Sequence, residues 1–146
     1  MPNIHSVSVS DQIDGRDYEA TNVSLFCYNA AIWNPHRIRY DEPYTINVEK
    51  HPGVVIDGPL QGDWLTQVAL NWAGEDGELL SFEYTNRRAS YLGECLSSGG
   101  TVTEVDVSAS LVHMDIFIKN AQGEVTSPGK AVVKLRWCAL GCNQGV

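Results

Sequence analysis

No stretch of this sequence approaches the roughly 20 consecutive apolar residues that a membrane-spanning helix requires. The first residues, Met1-Pro2-Asn3-Ile4-His5-Ser6, show no basic start followed by an apolar run. The sequence therefore predicts no Sec-type signal peptide, and synthesis in the cytoplasm. Positive charge is scarce. There are 10 Lys and Arg against 18 Asp and Glu, a formal charge of -8. Such a surface repels a nucleic-acid backbone and offers no polybasic grip on anionic lipid. Arg87-Arg88 is the densest basic feature, and it is a pair, not a patch. Motifs of familiar chemistry are missing as well. There is no G-x-S-x-G elbow, H-E-x-x-H, P-loop or G-x-G-x-x-G, so the sequence points to no catalytic residue, no cofactor and no enzyme activity.

Cysteine is limited to Cys27, Cys95, Cys138 and Cys142. Without secretion these are expected to stay reduced. Cys138 and Cys142 lack the second close ligand pair of a zinc site. Cys27 alternates with Val23 and Leu25, which predicts a buried thiol. Asp11, Asp14, Asp17 and Glu19 crowd around Gly15. They offer oxygen ligands for calcium without the D-x-D-x-D-G spacing, so an acidic loop is the alternative and no metal is assigned.

What the chain does have is apolar content and alternation. Hydrophobic residues make up 43% of 146 residues, which suits one domain over 1–146. Tyr44, Ile46 and Val48 alternate with polar neighbours, as do Val68, Leu70 and Trp72; Leu80, Phe82 and Tyr84; and Val133, Leu135 and Trp137. This is the period of half-buried antiparallel strands. Val7 and Val9, and the run from Val23 to Tyr28, read as further strands. From Val105 to Ile118 the apolar parity switches near Val112-His113, which predicts a β-bulge within one long strand. Gly74-Glu75-Asp76-Gly77 reads as a hairpin turn, and residues 51–63 as loop with a brief strand at Val54 to Ile56. The predicted fold is all-β, an antiparallel β-sandwich of about eight strands.

Trp33 and Trp64 stand beside turn-forming residues, so they are expected in loops. A loop tryptophan can stack on a sugar, anchor at a lipid interface or fill a partner's pocket; it can also fold back as a core plug. Arg37, Arg39, Tyr40 and Tyr91 would complete such a binding site. The short acidic chain, the absence of a leader, the strand-rich pattern and the loop residues Trp33 and Trp64 together resemble the aegerolysin family of small cytolytic or insecticidal β-sandwich proteins. No family residue carries over position by position. The resemblance implies a non-enzymatic protein that docks on membrane lipid beside a larger pore-forming partner. The alternative is a lectin-like module that binds a glycan.

Overall fold

A computed structural model describes residues 2–75 and 77–135. Five strands form one antiparallel sheet: β1 (Gln12–Glu19), β2 (Gly77–Tyr84), β3 (Cys95–Asp106), β4 (Leu111–Lys119) and β5 (Val125–Leu135), in spatial order β1-β3-β4-β5-β2. Three helices accompany them: α1 (Asn22–Ala31), α2 (Glu42–Asn47) and α3 (Gly58–Ala73). The 16-residue α3 lies against one face of the sheet and touches all five strands. The architecture is thus one mixed α/β layer pair, which overturns the expected eight-stranded all-β sandwich.

The helix forms because its buried positions, Gln61, Leu65, Val68, Ala69 and Ala73, recur at helical spacing and turn one stripe to the sheet. They meet Val112, Met114, Ile116 and Ile118 of β4 and Ala131, Val133 and Leu135 of β5 in one core. Each fully buried Leu or Val contributes about 1.5–3 kcal/mol relative to exposure. Leu70 is exposed and Trp72 only half-buried, so the alternation of Val68, Leu70 and Trp72 was accidental. Close approach depends on small residues. A Cβ at Gly62 would come within 2.6 Å of the Tyr84 ring.

The other expected strands are corrected in the same way. Val23 to Tyr28 lies in α1, which starts at a reciprocal cap between Thr21 and Ser24 and buries Leu25 and Asn29 one turn apart. Cys27 falls on the opposite side and is an exposed free thiol, as is Cys95. Tyr44 to Val48 belongs to α2 and its C-cap, with Asp41 as N-cap accepting from Tyr44 N at 3.0 Å. Val7 and Val9 precede the first strand. That strand, β1, carries Asp14, Asp17 and Glu19 at a sheet edge, with Asp11 just before it capping Ser8 N at 2.8 Å. The four acidic residues are therefore not a bent loop, and among the described residues no group of three potential ligands could hold a metal. Val105 to Ile118 is a hairpin, β3 turning into β4 over residues 107–110, instead of one bent strand. A register shift does fall opposite His113, between Val102 and Glu104 on β3. In β2 a second shift between Leu79 and Ser81 puts Leu79, not Leu80, against the core. Gly74 to Gly77 joins α3 to β2. Asp76, Trp137, Cys138 and Cys142 lie outside the described residues. Among the described residues, no helix is long and apolar enough to cross a membrane.

Candidate active site at the N-terminus of the central helix

The chain reverses direction after α1 at Trp33, whose φ of 56° is left-handed and unusual for a bulky residue. The reversal is closed by Asn34 N donating to Asn29 O at 2.9 Å. It carries residues 34–39 back across the start of α3. There Asn34 Nδ2 donates to Asp57 Oδ2 at 2.9 Å. Arg39 follows in a short 3-10 turn, and its Nη1 donates to Val55 O at 3.1 Å and Ile56 O at 2.9 Å. Val55 bridges Tyr91, and Ile56 N donates to Ser90 O at 2.8 Å. A brief extended segment therefore delivers the chain to Asp57.

Asp57 is the N-cap of α3, fully buried, yet its side chain makes no capping hydrogen bond. Pro59 has no N–H to offer. The N–H groups of Gly58 and Leu60 are left without a capping side chain at the positive end of the helix dipole. Asp57 Oδ1, Arg39 Nε and Ser90 Oγ are buried without any partner. Burial pushes the Arg39 guanidinium below its ordinary value, and the Asp57 charge acts against that. Tyr84 Oη donates to Gly58 O at 3.3 Å. The Ser127 hydroxyl lies 2.9 Å from both Gln61 Oε1 and Asn86 Oδ1, and with one proton it donates to one of them at a time. A Cβ at Gly58 would overlap Asn86 Nδ2, so glycine keeps this amide close over the helix start.

Arg39 separates two cavities. One, about 240 Å³, is lined by Phe26, Ala30, Trp33, Pro35 and Tyr40 together with Asn34 and Arg39. The other, about 230 Å³, is lined by Arg39, Gly58, Gln61, Asn86, Arg87 and Arg88. Of the residues singled out from sequence, Trp33, Arg39 and Tyr40 meet at the first cavity, where Trp33 is 87% exposed. Arg37 is engaged elsewhere, paired with Asp41 and lying 4.0 Å over the Tyr44 ring. Trp64 is not in a loop. It sits on α3, stacked on Tyr18 at 4.4 Å and packed on the core. Tyr91 is half-buried beside His51 Nδ1 at 3.3 Å. Sequence reasoning missed Asn34, Asp57, Gly58 and Asn86. The available signal was Asp57-Gly58-Pro59, a cap residue followed by proline in the first turn, which marks a helix start.

A sheet wrapped on one long helix is the hot-dog fold. Known structures share it. The (R)-hydratase from A. caviae involved in PHA biosynthesis is 14% identical, with a TM-score of 0.81 over 90% of this chain and 98% of its own. The ChsH1-ChsH2 complex from Mycobacterium tuberculosis is 12% identical, with a TM-score of 0.79 over 88% of this chain and 98% of its own. Residues 3–92 match the family described as hydroxyacyl-thioester dehydratase type 2, and the chain belongs to that family. A segment of 45 residues is 44% identical to the mesaconyl-C(4)-CoA hydratase of Chloroflexus aurantiacus. It covers 31% of this chain and 16% of that protein.

These findings overturn the aegerolysin-like reading, and with it the toxin and lectin alternatives and the expectation of a non-enzymatic binder. They also overturn membrane lipid, glycan and a pore-forming protein as partners. The loop tryptophans that suggested docking were an ambiguous signal, since one of the two is in the central helix.

Proposed function

We propose that this protein adds water to, or removes it from, an acyl thioester, interconverting a 2-enoyl and a 3-hydroxyacyl group. The observation that carries this is positional. The family match over residues 3–92 encloses Asn34, Arg39, Asp57 and Gly58, the cluster built at the start of α3.

Hydration needs a place for negative charge on the thioester oxygen, and a group that moves a proton. The uncapped N–H of Gly58, at the positive helix end, suits the oxygen. Asp57 is the side chain of the cluster able to act as a base, because arginine, serine and the amides keep their protons. In this reading substrate displaces the Asn34 amide and reaches the Asp57 carboxylate. Asp57 takes a proton from water as the water oxygen bonds to the β-carbon. The electron pair of the double bond moves toward the thioester oxygen, and the enolate is held at Gly58. Protonation of the α-carbon by Asp57 completes the addition, and dehydration is the reverse. The apolar cavity of Phe26, Trp33 and Tyr40 would take the acyl group.

The test is loss of enoyl absorbance when the purified chain meets 2-enoyl-CoA esters of graded length. Asp57→Asn is expected to cut kcat by about 10²–10⁴-fold with little change in Tm. No hydration of any ester by the wild-type chain would sink the reading. A second reading, favoured by the full burial of Asp57 and the exposed side chains of Val23, Phe26 and Trp33, is that the chain works as one subunit of a two-chain enzyme. The ChsH1-ChsH2 structure is itself a complex. Full activity from a species that light scattering shows to be monomeric would exclude it.

A further inference from the structure

The chain has 10 cationic side chains and a formal charge of -8. Three of those cations, Arg39, Arg87 and Arg88, nevertheless line one cavity of about 230 Å³ with Gly58 and Asn86. Like charges gathered on a small cavity repel one another, and here the protein compensates them only in part, with the Asp57 charge favouring the Arg39 cation. Arg88 pairs with Glu124 at 2.7 Å, but both side chains are largely exposed, where such a pair is worth little. Arg87 has no ion-pair partner among the described residues. Arg39 Nε is buried without an acceptor. The arginine loop is fixed, not loose. Arg87 N and Arg88 N both donate to the buried Thr126 O, at 2.9 and 3.2 Å, and Thr85 N donates to Pro128 O at 3.0 Å. The guanidinium groups thus project from a backbone anchored to β5, beside the positive end of α3.

We propose that this cavity is an anion subsite, in which Arg87 and Arg88, with the Arg39 guanidinium in the cavity wall, hold anionic oxygens of the thioester substrate. The proposal rests on the thioester reading above and says which part of the substrate goes where: the carrier on the Arg87 side with an apolar acyl segment on the Trp33 side of Arg39 when the anion is a phosphate, and the acyl chain on the Arg87 side when the anion is its own carboxylate. Guanidinium forks suit phosphate and carboxylate alike. Two sources share the chemistry, a phosphate of a phosphopantetheine carrier and a free carboxylate on the acyl group.

The double variant R87A/R88A, checked for folding by circular dichroism and Tm, separates the cases. Binding of CoA itself is followed by calorimetry at low and high salt. In the wild-type chain it is expected to weaken with salt, and in the variant to weaken by about tenfold or more. Turnover is compared for one enoyl group carried on CoA, on pantetheine without phosphate, and on pantetheine with a terminal carboxylate on the acyl chain. If the phosphate is the anion, the wild-type preference in kcat/KM for the CoA ester over the plain pantetheine ester collapses in the variant. If the carboxylate is the anion, the preference for the carboxylate-bearing ester collapses instead, and CoA binding is unchanged. Either result supports the subsite. A folded variant with CoA affinity and all ester preferences within twofold of wild type overturns it, as does a wild-type chain that neither binds CoA nor favours an anionic ester. A wild-type chain that binds CoA through the arginines but hydrates no ester would sink the catalytic reading and keep the subsite.

Discussion

Gly62→Ala is the sharpest probe of how the central helix serves the site. Gly62 is buried on α3, and an added Cβ would stand 2.6 Å from Tyr84 Cζ and 2.8 Å from Tyr84 Oη. Comfortable carbon contacts begin near 3.5 Å, so helix and ring must part by about 1 Å. Overpacking of this kind costs about 1–3 kcal/mol. Replacing glycine inside a helix returns about 1 kcal/mol. The net loss is at most about 2 kcal/mol, a fall in Tm on the order of 5 °C for a chain of this size. Activity should suffer far more. Tyr84 Oη donates to Gly58 O, so parting the ring from the helix strains that tie to the helix start, and a misplacement of about 1 Å in a catalytic group can cost on the order of 10²-fold. Tyr84→Phe is the companion. It keeps the ring, removes the hydrogen bond, and should show a smaller loss of both stability and rate. Tm by scanning calorimetry and kcat on an enoyl-CoA ester are measured for each. A Gly62→Ala protein with rate within threefold of wild type would refute the argument that the position of the α3 N-terminus governs turnover.

Trp33→Ala removes an indole that is 87% exposed, so Tm should hardly move. Lost apolar contact of about 1.5–3 kcal/mol should raise KM tenfold or more for long acyl chains and leave short ones nearly unchanged; equal effects on all lengths would remove Trp33 from the acyl cavity. Leu65→Ala empties a fully buried position under the sheet and should cost about 2–5 kcal/mol in urea denaturation, and a loss under 1 kcal/mol would mean α3 packs differently. Strong acid should lower Tm. Asp41 is held below its ordinary value chiefly by Arg37 and then by Tyr44 N, Asp106 chiefly by Ser108, and Glu124 chiefly by Asn120 and then Arg88. A depressed folded value means the contribution is present above the unfolded value and lost as pH falls through the folded one. Relief of acidic self-repulsion opposes this until the chain nears its isoelectric point of about 4.8, so Tm should drop only below about pH 4. An equal Tm at pH 3.5 and pH 6 would contradict the assignment.

Strands were legible where large β-formers alternated over one buried face. Phe82 and Tyr84 of β2, Met114, Ile116 and Ile118 of β4, and Val133 and Leu135 of β5 all lie on strands and pack on the core. The helices were not, for a physical reason visible in α3. Its sheet-facing stripe uses Gly62, Ala69 and Ala73 beside Leu65 and Val68, and small residues give a weak hydrophobic signal even where they allow the closest approach. The large apolar Leu70 lies off that stripe, exposed, and Trp72 packs at its edge, half-buried. In α1 the error had the opposite cause, since Val23 and Phe26 are large, apolar and exposed. Trp33 was singled out as an aromatic residue beside turn formers, and Arg39 and Tyr40 as its neighbours in sequence. Asn34 and Asp57 were not, because what distinguishes them is a hydrogen bond spanning 23 positions of sequence.

Asp57 shows why such a place stands out once the fold is known. An aspartate at a helix N-cap ordinarily stabilises by about 0.5–2 kcal/mol, because its carboxylate accepts from the open first turn. Here the longest helix has that residue at its cap and forgoes the bond. The carboxylate turns instead to Asn34, is buried completely, and keeps one oxygen unpartnered. A buried charge with an unused acceptor is destabilising, and so is an uncapped helix start. Both departures fall at one point, together with Arg39, whose Nε is also unpartnered, and with the two cavities that Arg39 divides. Sequences that specify a fold agree with it at every level except where function demands otherwise. The uncapped helix start, the idle carboxylate oxygen and the unpartnered Nε of Arg39 are each costly alone. In the proposed reaction they become complementary, with a thioester oxygen at the first, a proton at the second and an anion of the substrate beside the third.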